Sequence, residues 1–337
     1  MQSNRYSRQL LFGPIQQAGQ DKLQNSTVLV VGVGALGTVI CNHLVRSGVG
    51  KIRLIDRDYV ELTNLQRQML FDENDVKEAL PKAIAAKNKL EKINSTTEID
   101  AIVGNVTAEN VEELINGVDV VLDGTDNLFT RFILNDCCFK HDIPFSYGGV
   151  VSSRGMTAFL IPQKTPCLRC LISGTANDGQ TCDTVGVISP AVDMVSSFQV
   201  TETIKYLTGN KDVLRNTLHT FDIWLNNQYD IKFANPKINC PTCQTREFPS
   251  LKRKVENAEI VLCGRNSVQI HQKTKLNLKI WKDKLAPVSA VKQTPFLLKA
   301  EFEQGITFIL FSDGRVLVQG TEDTVIARSW YDRYIGS

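Results

Sequence analysis

A short apolar run that leads directly into a glycine-rich turn constrains the fold of this chain most. Residues 27–32 read TVLVVG, and the turn continues as VGALG up to residue 37. A continuous run of β-branched residues predicts a strand covered on both faces, and the pattern at 38–47 predicts a helix. A second predicted strand follows at 51–56. This order is typical of a parallel sheet that binds ligands beyond the carboxyl ends of its strands.

Strand-like and helix-like segments continue to alternate after this unit. The next predicted strands lie at 97–103, 118–123 and 144–147, and the next predicted helices lie at 81–92, 111–116 and 127–140. The alternation predicts an α/β, Rossmann-like fold with a mostly parallel sheet and helices on both faces. Segments 156–161 and 216–222 predict strands that extend this sheet, and 191–207 predicts a further helix.

The character of the chain changes toward its C-terminus. Residues 251–337 carry 14 Lys and Arg against 9 Asp and Glu, although the formal net charge of the whole chain is +2. Short strand-like runs and a closing helix at 324–334 predict a small α+β domain there. We therefore expect a first domain at 1–248 and a small C-terminal domain at 249–337, whose role the sequence does not give.

Composition excludes several classes of protein. With 42% hydrophobic and 22% charged residues, the chain is an ordinary folded protein. No run approaches the roughly 20 apolar residues that cross a bilayer, so we expect no membrane partner. The N-terminus shows no apolar leader, which favours the cytoplasm. The balanced net charge disfavours nucleic acid as a partner.

The glycine turn and the acid after the second strand together predict a nucleotide site. Gly32 permits the tight turn, Gly34 allows the backbone to approach a phosphate or a ribose, and Gly37 allows the helix to pack closely. Asp56 ends the second strand, where a carboxylate can accept hydrogen bonds from both ribose hydroxyls. Close strand–helix packing alone would also select these glycines, so the pattern does not identify the nucleotide.

Cationic, amide and acidic side chains follow successive predicted strand ends. Asn64, Arg67 and Gln68 come after the second strand, and Arg67 can clamp a phosphate with two hydrogen bonds. Lys82 begins a helix, whose N-terminus also favours anions. Asp126 follows another strand and can hold Mg²⁺ on phosphates, or simply cap the next helix. Their convergence on one sheet edge predicts a triphosphate site, although each alone is also typical of an ordinary surface.

Two CxxC pairs, Cys167 with Cys170 and Cys240 with Cys243, predict a metal site. Each pair places two thiolates along one edge of a tetrahedron, so the two pairs together form a four-thiolate zinc site. Because such a site has no open coordination position, we assign it a structural role. The alternative is two unrelated pairs, one of them redox-active.

Cys182 lies in a loop rich in glycine and polar residues and is either a nucleophile or an incidental loop thiol. The remaining cysteines lie in apolar segments and are predicted to be core residues: Cys41, Cys137, Cys138 and Cys263.

The motifs, taken together, resemble the ThiF/MoeB/HesA family, bacterial relatives of the ubiquitin-activating enzymes. The resemblance covers about residues 4–248. It rests on RYSRQ at 5–9, VGVGALG at 31–37, Asp56 with Asp58, NLQRQ at 64–68, PK at 81–82, DGTDN at 123–127 and the two CxxC pairs. It implies an enzyme that adenylates the C-terminal glycine of a ubiquitin-like sulfur-carrier protein and releases pyrophosphate. The carrier would be the small subunit of molybdopterin synthase or the thiamine-pathway sulfur carrier, which serve molybdenum cofactor and thiamine biosynthesis.

The resemblance also implies site residues by matched position. ATP with Mg²⁺ would be bound by residues of the three strand-end loops: Gly32, Gly34, Ala35, Gly37, Asp56, Asp58, Asn64, Arg67, Gln68, Lys82, Asp126 and Asn127. Arg8 would reach the phosphates from the other subunit of a homodimer and act with Arg67, Lys82 and Asp126. Cys182 matches a loop cysteine that handles the carrier or its sulfur in some members, with a sulfur donor such as a cysteine desulfurase. One departure is Ala79, near which many members have glycine.

Three alternatives remain open at this point. An NAD-dependent oxidoreductase shares the glycine turn, but it accounts for neither the Arg67 and Lys82 pair nor the paired CxxC motifs. A non-catalytic scaffold that binds nucleotide would release no pyrophosphate. A tRNA-modifying adenylating enzyme lies within the same family, and the slightly acidic balance of residues 1–250 disfavours it.

Overall fold

The computed structural model describes residues 5–172, 185–252, 260–262, 266–272 and 274–336. The chain divides into two compact units, residues 1–77 with 81–254 and residues 78–80 with 255–337. The predicted α/β, Rossmann-like fold is confirmed, as is the small α+β domain near the C-terminus. No helix among the described residues is both long and apolar enough to cross a bilayer.

An eight-stranded sheet forms the centre of the first unit, in the order β3-β2-β1-β4-β5-β6-β7-β8. The strands are β1 (Thr27–Val31), β2 (Lys51–Asp56), β3 (Glu98–Val103), β4 (Val120–Asp123), β5 (Phe145–Val151), β6 (Arg154–Leu160), β7 (Thr217–Asp222) and β8 (Asn227–Lys232). Neighbours from β3 to β5 are parallel, so their carboxyl ends share one edge. Neighbours from β5 to β8 are antiparallel and form the predicted extension.

Helices connect the parallel strands because each crossover must return the chain to the same edge. The helices of this unit are α1 (Ser7–Leu10), α2 (Gln16–Gln24), α3 (Ala35–Ser47), α4 (Glu73–Lys77), α5 (Lys82–Ile93), α6 (Val111–Leu114), α7 (Leu128–Lys140), α8 (Leu168–Leu171) and α9 (Ser189–Thr208). Of these, α3 to α7 connect the parallel strands. The longest helix of the unit, α9, packs on α3 and on the strands β5 and β6. It thereby braces the junction between the parallel and antiparallel halves of the sheet.

The second unit contains a six-stranded antiparallel sheet in the order β11-β12-β13-β14-β10-β9. Its elements are β9 (Ile260–Leu262), β10 (Ser267–His271), α10 (Leu278–Leu285), β11 (Ala290–Gln293), β12 (Leu297–Glu301), β13 (Thr307–Phe311), β14 (Arg315–Gln319) and α11 (Thr324–Tyr334). Aromatic rings of Phe302, Phe308 and Trp330 pack edge to face in its core.

The glycine turn brings three main-chain segments into direct contact. Gly32 adopts a positive φ of 83°, which favours glycine. A Cβ atom built on Gly37 would lie 1.9 Å from the carbonyl oxygen of Gly32, and one built on Gly124 would lie 2.4 Å from it. The first helical turn of α3 and the end of β4 can therefore approach the β1 turn only because these positions lack side chains.

We expect Gly37→Ala to lower the free energy of unfolding by about 3 kcal/mol, because the new methyl group overlaps a main-chain carbonyl. Gly13→Ala is the matched control, since a Cβ atom at Gly13 meets nothing within 4 Å. Denaturant unfolding of the full chain measures both changes. Equal effects of the two substitutions would show that the close approach at Gly37 is not what requires glycine.

Candidate functional site

Three loops meet at the carboxyl ends of β1, β2 and β4. The amide of Gly32 donates to the carbonyl of Ile55 at 2.9 Å, which joins the β1 turn to β2. The amide of Gly124 donates to the carbonyl of Val31 at 2.8 Å, which joins β4 to β1. The sheet thus brings the glycine turn, the loop that follows β2 and the turn that follows β4 to one place.

Asp56 fastens the β2 loop to the glycine turn. Its Oδ2 accepts a hydrogen bond from the amide of Val33 at 2.6 Å, and its Oδ1 accepts one from the amide of Asp58 at 2.7 Å. Burial raises the pKa of Asp56, and the nearby charge of Lys82 opposes that rise. Since each carboxylate oxygen carries a second lone pair, Asp56 can still accept hydrogen bonds from ribose hydroxyls.

Lys82 is a buried cation at this edge of the sheet. It is only 2% exposed and begins α5, and its Nζ lies 3.5 Å from Oδ2 of Asp58. The amide of Lys82 donates to the carbonyl of Asp58 at 2.9 Å. Asp56, Asp58 and Lys82, which the sequence predicted as site residues, therefore form one charged cluster. The ammonium group of Lys82 can bind an anion there.

Asn64 and Gln68 have different roles in the loop after β2. The side-chain oxygen of Asn64 accepts from the amide of Glu61 at 3.1 Å, and its carbonyl accepts from the amide of Gln68 at 2.9 Å, so Asn64 organises the loop. Gln68 is 3% exposed, and its Nε2 lies 3.7 Å from the position of a Cβ on Gly34. Its Oε1 is buried and has no hydrogen-bond partner among the described residues.

A buried acceptor without a partner costs free energy, so an orphan oxygen beside the glycine turn suits a ligand that donates to it. The missing side chain at Gly34 and the amide of Gln68 are thus compatible with a bound nucleotide. Arg67 lies in the same loop, is partly exposed, and donates through Nη1 to the carbonyl of Thr63 at 3.0 Å.

The turn after β4 shows which residue caps the helix that follows Asp126. Asn127 caps α7, because its side-chain oxygen accepts from the amide of Thr130 at 2.8 Å. The interpretation of Asp126 as the cap was wrong, and its carboxylate is exposed at the same strand-end edge as the glycine turn. The capping oxygen of Asn127 is already engaged, which leaves its amide group for a ligand.

Two residues that the sequence did not single out hold this turn. Arg131 donates to the carboxylate of Asp123 at 2.8 Å, and Gln199 donates to the carbonyl of Asp123 at 2.9 Å. Burial raises the pKa of Asp123, and the charge of Arg131 opposes that rise. A basic residue one turn into the helix after Asp126 was the only signal in the sequence, and nothing in the sequence marked Gln199.

Arg8 is exposed on α1, and its contribution to the site of a partner subunit remains a prediction. Cys182 lies outside the described residues, as does Cys263. The other cysteines that were predicted to be core residues are buried: Cys41, Cys137 and Cys138.

The two CxxC pairs come together as one cluster. The Sγ of Cys167 lies 3.9 Å from that of Cys170 and 3.6 Å from that of Cys240, and the Sγ atoms of Cys170 and Cys243 are 3.5 Å apart. All four ligand atoms lie within 4.8 Å of one another. The alternative of two unrelated pairs was therefore wrong, and the cluster can hold one metal ion.

A buried ion pair fastens the cluster to α7. Arg169, between the first two cysteines, donates to the carboxylate of Asp136 at 2.9 Å, and Asp136 is fully buried. The hydroxyl of Thr242, between the other two cysteines, donates to the same carboxylate. The amide of Ser250 donates to it as well, at 2.8 Å. One acid on α7 thus orders both metal-ligand loops.

Comparison with known proteins places these features in a family. The ThiF family profile matches residues 6–242. The "Sulfur carrier protein ThiS adenylyltransferase" of Bacillus subtilis is 43% identical over 338 residues, which cover 99% of this chain and 100% of that protein. A "Probable molybdopterin-synthase adenylyltransferase" of Porphyra purpurea is 35% identical over 62% of this chain, which spans 55% of that protein.

The fold has a counterpart of known structure. A crystal structure of E. coli MccB with ATP matches with a TM-score of 0.62 and 25% sequence identity, covering 72% of this chain and 74% of that one. The family match spans the glycine turn, the charged cluster and three of the four cysteines. The chain belongs to the ThiF family.

Proposed function

We propose that this chain uses ATP to adenylate the C-terminal carboxylate of a ubiquitin-like sulfur-carrier protein and releases pyrophosphate. Membership of the ThiF family and the named relatives make the chain an adenylyltransferase. The observation that carries the proposal is the buried Lys82, paired with Asp58 and beside Asp56, which is itself hydrogen-bonded to the glycine turn.

The reaction joins two anions, so the site has to offset their repulsion. The carrier carboxylate attacks the α-phosphorus, a new C–O–P linkage forms, and the bond to the β-phosphate breaks, releasing pyrophosphate. Lys82 and Arg67, with Arg8 from the partner subunit of a homodimer, stabilise the charge that grows on the phosphates. Asp56 would hold the ribose, and Asp126 would hold a Mg²⁺ ion, which would offset the negative charge of the phosphates. No covalent nucleophile is needed, since the site acts by positioning and charge.

The thiamine-pathway sulfur carrier is our proposed substrate. The relative that acts on ThiS matches over 99% of this chain, including the second unit, whereas the molybdopterin-synthase relative matches over 62%. The higher identity to the Bacillus subtilis relative, 43% against 35%, supports the first type of carrier. Cys182 is proposed to handle the carrier or its sulfur after adenylation, with a cysteine desulfurase as the class of sulfur donor.

We further propose that the four-cysteine cluster holds a structural zinc ion. A tetrahedral site with metal–sulfur distances of about 2.3 Å has sulfur–sulfur edges of about 3.8 Å. The observed separations of 3.5, 3.6 and 3.9 Å fit that geometry. Four thiolates leave no position for a substrate, so the ion would tie the loops of residues 167–170 and 240–243 to each other.

Incubation of the protein with ATP, Mg²⁺ and each candidate carrier, followed by mass spectrometry of the carriers, tests the function. We expect the thiamine-type carrier to gain the mass of one adenylyl group (AMP less one water), and a carrier that lacks its terminal glycine to gain none. A mass change only on the molybdopterin-synthase subunit would overturn the choice of carrier. No change on any carrier, with ATP unconsumed, would overturn the activity.

Gln68→Met should raise the KM for ATP about tenfold, the effect of losing one buried hydrogen bond to the ligand. The free protein should be no less stable, because the substitution removes an oxygen without a partner among the described residues. Gln269→Met is the matched control, since Gln269 is also 3% exposed with an unpartnered Oε1. A KM that is the same in both variants would remove Gln68 from the nucleotide site.

A further inference from the structure

The main-chain turn that presents Asp126 is held by a mostly buried side chain from α7 and a fully buried one from α9. We propose that Arg131 is a positioning residue for Asp126 and that Gln199 supports the same turn. The inference rests on the proposed function, since it assigns Asp126 to Mg²⁺ on ATP. Neither Arg131 nor Gln199 would contact ATP in this proposal, and both would act through the main chain.

Arg131 makes its hydrogen bonds on both sides of the turn. Its Nε donates to Oδ2 of Asp123 at 2.8 Å, and its Nη2 donates to the carbonyl of Thr125 at 2.6 Å and to that of Gly148 at 2.9 Å. Its guanidinium also lies 5.3 Å from the centre of the Tyr147 ring. A planar guanidinium can reach three acceptors in fixed directions, which the single ammonium of lysine cannot do.

Gln199 holds the turn from the other side. Its Nε2 donates to the carbonyl of Asp123 at 2.9 Å and to that of Ser146 at 3.0 Å, and the side chain is fully buried. A Cβ atom on Gly148 would lie 2.4 Å from its Oε1, so the glycine in β5 makes room for this amide. The carbonyls of β4 and β5 are thus tied together where the parallel strands end.

Asp126 follows Thr125 directly, so the direction of its carboxylate depends on the main chain that Arg131 holds. Asp123 is also anchored within the turn, because its Oδ1 accepts from the amide and the hydroxyl of Thr125 at 2.9 and 2.6 Å. A turn with this many bonds presents the next side chain in one direction. Loosening it should therefore weaken Mg²⁺-dependent binding more than it weakens the fold.

The chain offers a matched control for Arg131. Arg53 also donates to one carboxylate, that of Asp100 at 2.9 Å, and to two carbonyls, those of Leu114 at 2.6 Å and Asn116 at 3.2 Å. Its side chain is 18% exposed and that of Arg131 is 11% exposed. Arg131→Lys and Arg53→Lys therefore remove comparable sets of hydrogen bonds. Only those of Arg131 hold the turn that precedes Asp126.

The experiment measures binding of ATP to the full chain by calorimetry as Mg²⁺ is titrated, with thermal unfolding as the control for folding. We expect Arg131→Lys to raise the Mg²⁺ concentration for half-maximal ATP binding about tenfold, as loss of an outer support for a metal ligand does. Arg53→Lys should leave that concentration unchanged while lowering thermal stability to a similar extent.

The remaining outcomes distinguish a failure of this inference from a failure of the proposed function. An equal Mg²⁺ dependence of wild type and Arg131→Lys would overturn the positioning role while leaving the proposed function intact. A wild-type chain that binds no ATP would overturn the proposed function and this inference together. Where Arg131→Lys does not fold, Gln199→Met replaces it, with an expected shift of about threefold, and an unshifted Mg²⁺ dependence in that variant overturns the inference.

Discussion

Arg67→Ala and Asp126→Ala should each lower carrier-dependent ATP–pyrophosphate exchange at least about 100-fold while the protein stays folded. Removing one group that stabilises developing charge in an enclosed site typically costs this much. Arg67 is partly exposed and donates to one carbonyl, and Asp126 is exposed, so neither substitution empties a buried position. Exchange of labelled pyrophosphate into ATP, with the carrier present, measures the step directly.

Two exposed positions away from the strand-end edge give matched controls. Arg46 donates only to the side chain of Asn42 among the described contacts, and Asp212 is exposed in a short turn. Arg46→Ala and Asp212→Ala should keep wild-type exchange. If Arg67→Ala and Asp126→Ala exchange as well as these controls, the site that we describe does not carry the reaction.

Removal of metal from the four-cysteine cluster should produce the largest change in stability. A metal ion present at about a thousand times its dissociation constant stabilises a folded protein by about 4 kcal/mol. For a unit of this size that corresponds to a fall of about 8–16 °C in the melting temperature on chelation. Thermal unfolding with and without a strong chelator measures the shift, and elemental analysis of the untreated protein should give one zinc per chain.

Cys243→Ser is the comparison for this experiment, because it removes one of the four ligands and leaves the rest of the cluster in place. The variant should melt at a lower temperature than the wild type, and the chelator should lower it little further. A wild-type protein that contains no metal, or whose melting temperature the chelator does not change, would refute the metal site.

Local patterns in the sequence predicted the parts of the site that depend on local chemistry. The glycine turn, Asp56 and Lys82 each belong to a short motif whose residue types are required by a tight turn, a strand end or a helix start. The two CxxC pairs were likewise visible, although Cys167 and Cys240 meet across 73 residues of sequence. The metal site is recognised from the two-residue spacing between the cysteines of each pair, and the distance in sequence between the two pairs is not part of the signal.

Residues that act through long-range main-chain contacts could not be predicted in this way. Gln199 reaches Asp123 across 76 residues, and nothing near either residue specifies that pairing. Asp136 supports the cysteine loops from the middle of a helix whose pattern is that of a core element. The strand β8 was also missed, since its sequence NQYDIK has only two apolar residues and is exposed along its whole length.

The order of strands in the large sheet has a consequence for how the protein reaches its native state. β5 and β6 are consecutive strands, and Val151 pairs with the nearby Arg154. By contrast, Thr27 at the start of β1 is bonded to Asp119, which lies 92 residues away. Closing so long a loop costs chain entropy before the contact stabilises anything, so the β1–β4 join forms late. The nascent polypeptide therefore cannot complete the proposed phosphate site before β4, about halfway along the first unit, has joined β1.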